Sequence, residues 1–378
     1  MTDVNLSSSW SAVFSEIPRL AFIPDTIWVD DSSGETLVSL SKHTDPDGWH
    51  AAVCANSPVI TQVDFGEAPS GQKSSVPSSS CSQPSIVADM LEALNVRPGQ
   101  SVLEIGTGTG WNAALLSHLV GEHGRVVTIE VDRRLARDAR HSLANSGYHP
   151  VVIAGDGLEG YLPGAPYDRV ISTAALRELV PRAWLDQLRP GGRLVTPWGT
   201  DWSNGAMLTL DLGSDHVARG RFSGDLAFMR VRSQRRALYA WTPTTEEIER
   251  AQISTTECRG SDLDRILNPG KGSFAIGARL TSCCLMVEWD KHGELHHNLE
   301  LDDAATKSWA QLDANLNDPA PFTVRQLGPR QLWDEAEGAY DWWYEQGEPM
   351  LDRFGFRCRS GLQWVWLDDP DNVVRRLS

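Results

Sequence analysis

The chain has 378 residues, of which 41% are hydrophobic, and its formal net charge is −16 at pH 7. This composition is ordinary for a soluble protein with a sizeable core, and the length favours about two domains. The acidic balance argues against a nucleic-acid partner, because binding to phosphates relies on a basic surface.

No apolar run approaches the roughly 18 residues of a transmembrane helix, so we expect no membrane partner. The N-terminal stretch MTDVNLSSSWSAVF lacks the basic start and apolar core of a signal peptide, which predicts a cytoplasmic protein. The six cysteines form no C-x-x-C pair and no Cys/His cluster with zinc spacing, so we expect free thiols and no metal. They are Cys54, Cys81, Cys258, Cys283, Cys284 and Cys358.

Residues 1–75 are predicted to be the N-terminal segment of a catalytic domain. In this segment IPRLAFIPD and DTIWVDD indicate a turn and then an extended stretch, and VITQVDFG indicates a strand. Residues 65–82 are rich in Gly, Ser and Pro and are predicted to form a loop. This loop includes VPSSSCSQP, which by itself fits a flexible linker better than a site.

Residues 76–235 alternate between strand and helix patterns. Pro84 suits a first helical turn, and the strand SVLEI is followed by the helical stretch WNAALLSHLV. The alternation continues through RVVTIEVD, RRLARDARHSLANSG, VVIAGD, YDRVISTAA and PRAWLDQLRPGGRLVTPWG. Such alternation predicts an α/β fold with a parallel sheet covered on both faces.

Residues 236–378 lose this alternation and are predicted to be an α+β domain. TTEEIERAQ indicates a helix, and CCLMVEWDKHGELHHNLEL indicates a hairpin that turns near Asp290 to Gly293. A second helix, ended by Gly347, would have one buried face. That face comprises Leu332, Ala336, Ala339, Tyr340 and Trp343. LQWVWLDD indicates a late strand.

The chemistry is centred on VLEIGTGTGWNAALL, in which a strand runs through Gly106, Gly108 and Gly110 into a helix. Glycines let backbone approach a ligand closely and adopt angles that other residues resist. Glu130 follows twenty residues later, at the end of the next strand, where an acid can accept the hydroxyl hydrogens of a ribose.

The glycine spacing distinguishes two nucleotide cofactors. NAD sites carry G-x-G-x-x-G, whereas this chain has E-x-G-x-G-x-G, with Trp111 where the third NAD glycine would fall. A carboxylate at Glu104 suits a cofactor with a sulfonium and an ammonium group, and it suits an anionic pyrophosphate poorly. This spacing and its leading acid resemble the S-adenosylmethionine loop of Rossmann-like methyltransferases, so we predict S-adenosylmethionine as the cofactor and S-adenosylhomocysteine as the product. The predicted cofactor-binding residues are Glu104, Gly106, Thr107, Gly108, Gly110, Trp111, Asn112, Glu130, Asp156, Gly157 and Thr173.

Two of these positions lie at the ends of later strands. Asp156 and Gly157, in AGDG, would lie over the adenine, although an aspartate that merely starts a turn is the alternative. Thr173 ends the fourth strand, on the rim where open α/β sheets bind ligands.

From residue 80 onward the chain resembles the protein-L-isoaspartate O-methyltransferase family, and the resemblance covers roughly residues 15–235. It implies a Rossmann-like class I methyltransferase with a C-terminal α+β extension. The family's Thr-Ile-Ser-Gln-Pro segment falls on Ser80–Pro84 here, so its active-site serine is Ser82 and its threonine is replaced by Ser80. Ser79, Cys81 and Gln83 are the neighbours implied to contact substrate. The segment would then fold over the cofactor site as a lid.

The tryptophan after the glycine loop, the serine run and the Trp-rich tail resemble a subset that tailors ribosomally made peptides, including graspetide, lanthipeptide and lasso-peptide systems. This resemblance implies methylation of an aspartate in a cyclised precursor, followed by closure to an aspartimide. Since repair enzymes of the family end near the first domain, the extra domain favours tailoring. Its tryptophans would either line a peptide groove or form the domain's core. They are Trp333, Trp342, Trp343, Trp364 and Trp366.

Three alternatives remain open. A repair enzyme acting on isoaspartyl residues of damaged proteins has the same sheet motifs. A non-catalytic scaffold that binds S-adenosylmethionine and a peptide would usually have lost the glycine loop or the ribose acid, which are both present. A methyltransferase for small molecules conflicts with the match around Ser82.

Overall fold

The computed structural model describes residues 8–32, 34, 36–67, 73–203, 205–236, 241–268, 270–288, 296–315 and 321–377. Contacts within the chain group it into two compact units. The first unit comprises Met1–Ala174, Val180–Thr196 and Thr209–Ala218, and the second comprises Ala175–Leu179, Pro197–Leu208 and Arg219–Ser378. These bounds differ from the predicted divisions after residues 75 and 235.

The first unit begins with a small antiparallel sheet whose strand order is β2-β1-β3-β4. The elements are α1 (Ser8–Glu16), β1 (Thr26–Asp30), β2 (Leu37–Ser41), α2 (Pro46–Cys54), β3 (Val59–Val63) and β4 (Pro77–Cys81). The predicted loop over residues 65–82 is therefore wrong in its last part. The serine run forms β4 because β3 supplies a hydrogen-bonding partner, with Ile60 opposite Ser80, and pairing overrides the weak strand preference of serine.

The alternating strands and helices follow. They are α3 (Pro84–Leu94), β5 (Ser101–Ile105), α4 (Trp111–Val120), β6 (Arg125–Glu130), α5 (Arg133–Asn145), β7 (Val151–Ala154) and β8 (Tyr167–Ser172). β5 pairs in parallel with both β6 and β8, and β6 pairs in parallel with β7. The parallel α/β sheet predicted from the sequence is confirmed.

Burial explains why these segments fold as they do. β5 sits in the middle of the parallel strands, and Leu103 within it is fully buried, which stabilises the fold by roughly 1.5–3 kcal/mol. α5 buries only Ala136, Ala139 and Leu143, one stripe along the helix, and Asp132 caps its N-terminus. The carboxyl ends of the parallel strands are thereby brought to one edge.

A further set of elements contributes to both units. These elements are β9 (Leu176–Arg177), α6 (Arg182–Asp186), β10 (Leu188–Gly199), β11 (Ala206–Leu212) and β12 (Val217–Asp225). In the first unit β10 pairs in parallel with β8, with a register shift between Leu188 and Arg193. Gly191 and Gly192 lie inside β10, at this shift.

In the described part of the chain, the second unit contains an antiparallel five-stranded sheet, three further antiparallel strands near its C-terminal end and four α-helices. The elements are α7 (Thr245–Glu249), β13 (Gln252–Thr256), α8 (Gly260–Leu267), α9 (Ser273–Arg279), β14 (Cys284–Glu288), β15 (His296–Asp303), β16 (Ser308–Asn315), β17 (Phe322–Leu327), α10 (Leu332–Glu345), β18 (Phe354–Arg359), β19 (Leu362–Leu367) and β20 (Val373–Leu377). One sheet has the order β13-β17-β16-β15-β14, and β18, β19 and β20 pair as antiparallel neighbours.

The predicted hairpin, the helix α10 and the late strand β19 are all present in the second unit. The hairpin turn predicted near residues 290–293 lies outside the described residues. The five residues predicted to form the buried face of α10 are all buried, which confirms that face. The predicted helix in TTEEIERAQ is only five residues long, and β13 starts where the rest of it was expected.

The tryptophans of the second unit divide between core and surface. Trp333 and Trp343 are 1% and 2% exposed and belong to the core. Trp342 and Trp364 are half-buried and have arginine guanidinium groups over their rings, at 4.5 and 5.2 Å from the ring centroids. Core packing therefore accounts for only part of the tryptophan set.

Within the part of the chain that the structure describes, no helix combines the length and the apolar character needed to cross a bilayer.

Candidate functional site

The glycine loop joins β5 to α4 at the carboxyl edge of the parallel sheet. Gly106, Gly108 and Gly110 have φ angles of 94°, 53° and 92°, a region that favours glycine. A Cβ on Gly106 would lie 2.7 Å from the hydroxyl oxygen of Thr173. The first glycine is therefore required by sterics as well as by its backbone angle.

Thr173 holds this loop from the neighbouring strand end. Its hydroxyl donates to the carbonyl oxygen of Gly106 at 2.6 Å, and its backbone N–H donates to Ile105 at 2.8 Å. The residue lies on the predicted rim, just after β8. Its observed contacts fix the shape of the glycine loop.

Glu130 lies at the end of β6, next to the same loop. Its carboxylate accepts from the backbone N–H of Gly108 at 2.9 Å and from that of Asp132 at 3.0 Å. The residue is only 7% exposed. These two bonds hold the carboxylate in one orientation, as a ribose-binding acid requires.

Glu104 is the most deeply buried acid of the site, with no solvent exposure. Asn112 donates to its Oε1 at 2.7 Å, whereas its Oε2 has no hydrogen-bond partner among the described residues. Burial raises the pKa of Glu104 to about 7; the hydroxyl of Thr128 and the hydrogen bond from Asn112 oppose this rise, and the charge of Glu130 adds to it. A buried carboxylate with an unused oxygen fits a cofactor that carries a cationic group.

The remaining loop residues are engaged within the protein. Thr107 is buried, and its hydroxyl lies 2.6 Å from that of Thr128. The indole N–H of Trp111 donates to the carbonyl of Ile17 at 2.9 Å, and its ring lies 5.1 Å from that of Phe14. The Trp111 side chain thus anchors the N-terminal segment, so only its backbone N–H is left to face a cofactor.

Asp156 and Gly157 follow β7. Asp156 is exposed and accepts from the backbone N–H of Leu158 at 3.0 Å, so it does start a turn. A Cβ on Gly157 would lie 2.4 Å from Cγ2 of Ile105, at the end of β5. The turn therefore packs against the strand that carries the glycine loop. Only one carboxylate oxygen of Asp156 accepts the hydrogen bond that starts the turn, so the other oxygen is not used by it.

The serine strand β4 lies directly beside the glycine loop. A Cβ on Gly108 would be 3.5 Å from the carbonyl oxygen of Ser80 and 3.9 Å from the hydroxyl of Ser79. The predicted proximity of this segment to the loop is therefore present, although a paired strand replaces the predicted lid. The Ser80 and Ser82 hydroxyls make no hydrogen bond to any described residue.

Cys81 separates these two serines and is 3% exposed. Burial raises the pKa of its thiol to about 11, against the opposing influences of the Arg19 charge and a hydrogen bond with Thr109. The thiol is therefore neutral near pH 7 and is a poor nucleophile. Next to it, Gln83 donates to the hydroxyl of Ser85 at 2.8 Å.

Arg19 is a site residue whose role the sequence did not predict. Its guanidinium is buried and donates to the backbone carbonyl of Ser82 at 3.1 Å. It also donates to the carbonyls of Val53, Ala55 and Ser57, at 2.5, 2.8 and 2.8 Å. Only the motif IPRLAFIP pointed to this residue. Arg19 ties the end of α2 to the residue after β4.

Comparisons with known proteins agree with this arrangement. Residues 68–232 match the model of the family described as protein-L-isoaspartate(D-aspartate) O-methyltransferase. The chain is 43% identical over 150 residues to a protein-L-isoaspartate O-methyltransferase of Methanopyrus kandleri, a match that covers 39% of this chain and 66% of that protein. It is 50% identical over 117 residues to the enzyme of that name from Ignicoccus hospitalis, which covers 31% of this chain and 55% of that protein. The chain thus spans between about half and two thirds of these relatives.

A solved structure named protein-L-isoaspartate O-methyltransferase shares the fold of nearly the whole chain. The TM-score is 0.51 at 20% identity, and the match covers 96% of each chain. That chain and this one are therefore similar in length. The predicted fold class, that of class I S-adenosylmethionine-dependent methyltransferases, is confirmed, and residues 68–232 are related by sequence to the protein-L-isoaspartate O-methyltransferase family.

Proposed function

We propose that the chain is an S-adenosylmethionine-dependent O-methyltransferase that esterifies an isoaspartyl or aspartyl carboxylate in a peptide or protein. One arrangement supports this most: the carbonyl of Ser80 lies 3.5 Å from the position of a Cβ on Gly108. The strand that leads into Ser82 is therefore beside the glycine loop. A substrate held at Ser82 would be close to a cofactor held by that loop.

The first-unit residues suited to the cofactor are those of the glycine loop together with Glu104 and Glu130. S-adenosylmethionine, when bound, supplies a methyl group on a cationic sulfur. The unpartnered Oε2 of Glu104 is suited to a cationic amine, and the fixed carboxylate of Glu130 is suited to a pair of hydroxyl groups. Asn112, Asp156, Gly157 and Thr173 remain proposed contacts, and Thr107 and Trp111 contribute through their backbone.

Ser82 would orient the substrate carboxylate. An aspartyl carboxylate has an unperturbed pKa of about 4, so it is already ionised at neutral pH and needs no general base. The unpartnered hydroxyl of Ser82 can donate to one carboxylate oxygen and leave the other free to react. Cys81 stays neutral, so it adds no negative charge that would repel the substrate. Alignment and exclusion of water are then the main requirements of the site.

Isoaspartyl substrates are the better supported choice. The matched family and both relatives carry that name, and so does a solved structure that shares the fold of nearly the whole chain. Aspartimide-forming tailoring of a cyclised peptide is a narrower second candidate. It is supported by the local sequence, in which Ser80 and Cys81 replace the Thr-Ile of the repair enzymes.

The test is formation of S-adenosylhomocysteine by the full chain with peptides that differ only in carrying isoaspartate, aspartate or asparagine, each in a linear and a macrocyclic form. Turnover on the isoaspartyl peptide alone supports the main proposal. Turnover only on a macrocyclic aspartyl peptide supports the tailoring candidate. No turnover on any of them, in a protein that binds S-adenosylmethionine, contradicts both and favours a non-catalytic scaffold. Ser82→Ala should abolish turnover, whereas Ser15→Ala, on the exposed surface of α1, should not.

A further inference from the structure

The antiparallel strands β18, β19 and β20 of the second unit have two chemically different faces. Successive side chains of a strand point to opposite faces, so alternate residues share one. Phe354, Phe356, Val365 and Leu367 lie on the inner face and are at most 1% exposed. The other face carries Arg357 and Arg359 from β18, Trp364 and Trp366 from β19, and Arg376 from β20.

The register places three of these side chains in one row. Arg357 is opposite Trp364, and Trp364 is in turn opposite Arg376. The Arg357 guanidinium lies over the Trp364 ring, 5.2 Å from its centroid. The Trp364 indole thus contacts the guanidinium of Arg357, and Arg376 is the next residue in the same row.

A second stack stands beside this row. Trp366 lies against Gly355, where a Cβ would be 1.9 Å from a ring carbon. The guanidinium of Arg221 covers the same indole, 4.7 Å from its centroid. Gly355 thus lets the ring lie flat on the sheet. We call Arg221, Arg357, Arg359, Trp364, Trp366 and Arg376 the basic aromatic face.

Three charges of this face have no partner. Arg357, Arg359 and Arg376 form no ion pair or hydrogen bond with any described residue. The acids that flank these strands in the sequence all lie at the end of the sheet away from Arg359; they are Asp352, Asp368, Asp369 and Asp371. One of them, Asp368, is already paired with Arg353 at 2.6 Å. Unpaired arginines gathered on one face are unusual for a chain whose net charge is −16.

We propose that the basic aromatic face binds an acidic segment of the peptide or protein substrate. This proposal rests on the proposed function for the identity of the partner as a peptide substrate. Guanidinium groups pair with carboxylates in a bidentate manner, and stacking on indole reduces the ordering that binding must impose. A long nucleic acid is the less favoured ligand because the net charge of −16 repels a polyanion beyond this small face.

The test is equilibrium binding of fluorescent probes to the full chain, without S-adenosylmethionine. The probes are a short peptide of alternating glutamate and glycine, its glutamine analogue, and an oligothymidylate of equal charge. We compare the triple variant R357Q/R359Q/R376Q with the control R137Q/R182Q/R250Q. The control removes three exposed arginines whose paired acids are also exposed.

We expect the glutamate peptide to bind, and its affinity to fall by about tenfold or more in the triple variant and by less than about twofold in the control. Raised salt should weaken the binding, because exposed charges are screened. If the triple variant has a lowered melting temperature, Arg359→Gln and Arg376→Gln, both at exposed positions, are tested singly.

Equal binding to the triple variant, stronger binding of the oligothymidylate, or equal binding of the glutamine analogue would each overturn the proposal. The result is independent of catalysis. A chain that binds the glutamate peptide through this face but never forms S-adenosylhomocysteine refutes the proposed function alone. A chain that methylates isoaspartyl peptides but binds the glutamate peptide equally well with and without these three arginines refutes the face alone.

Discussion

The guanidinium of Arg19 donates to the carbonyl oxygen of Ser82 at 3.1 Å, across 63 residues of sequence. Three more of its bonds reach carbonyls at and beyond the end of α2. The residue proposed to orient the substrate is therefore fixed through its backbone. Its hydroxyl is left free to meet a carboxylate.

Replacing Arg19 should reduce catalysis without removing the cofactor site. Arg19→Lys keeps a charge but cannot span four carbonyls, and unmet buried acceptors cost about 1–3 kcal/mol each. We expect a large loss of kcat and a lower free energy of unfolding, with little change in S-adenosylmethionine affinity. Turnover, denaturant unfolding and equilibrium binding measure the three quantities. An unchanged kcat in a folded variant would show that the position of Ser82 does not depend on Arg19.

Gly106→Ala should disable the glycine loop. The new Cβ would lie 2.7 Å from the Thr173 hydroxyl, and the φ angle of +94° is itself unfavourable. Gly121→Ala is the matched control, because its φ is +66° and no atom lies within 4 Å of its Cβ. Both variants should lose about 1–2 kcal/mol of stability from the backbone angle, but only Gly106→Ala should lose S-adenosylmethionine binding. Equal S-adenosylmethionine affinity in the two variants would contradict the proposed role of the glycine loop in cofactor binding.

Trp111→Phe separates a structural tryptophan from a ligand-binding one. The ring would still pack near Phe14, but the hydrogen bond to Ile17 would be lost. We expect the free energy of unfolding to fall by about 1 kcal/mol and S-adenosylmethionine affinity to stay the same. A loss of S-adenosylmethionine affinity at an unchanged free energy of unfolding would show instead that the Trp111 side chain binds the cofactor.

The parallel sheet and the glycine loop could be predicted from sequence because their determinants are local. Strand and helix periods alternate, and three glycines mark a turn that needs positive φ angles. The strand β4 could not be predicted in this way. Its serines have no strand pattern of their own, and the hydrogen bonds that define it come from β3, some fifteen residues earlier.

Arg19 could not be assigned a role from the sequence for a related reason. Its acceptors are backbone carbonyls, which leave no trace in residue identity. For Trp111 the sequence suggested a role, cofactor binding, that its side chain does not have. It stands next to the third glycine, yet its side chain is directed to the N-terminal segment, because a side chain at the start of a helix is placed by packing. The sequence motif therefore predicted which backbone segments form the site better than it predicted where their side chains point.

Glu104 should make stability depend on pH in a defined window. Its ordinary pKa is 4.5 in the unfolded chain, and burial raises it to about 7 in the folded protein. Between these two values the folded state binds more protons than the unfolded state, so stability falls as pH rises. The loss should approach its full value by about pH 8 and be on the order of 3 kcal/mol. Glu104→Gln, which cannot ionise, should lack it.

The measurement is the free energy of unfolding from pH 4.5 to 8, for both proteins without S-adenosylmethionine. The difference between them isolates Glu104, since all other titrating groups are shared. A bound cationic amine should favour the ionised form, so wild-type affinity for S-adenosylmethionine should increase as pH rises towards 7, while Glu104→Gln should bind weakly at every pH. Parallel stability curves would show that Glu104 is already ionised in the folded protein, and its unpartnered oxygen would then have to be satisfied by water.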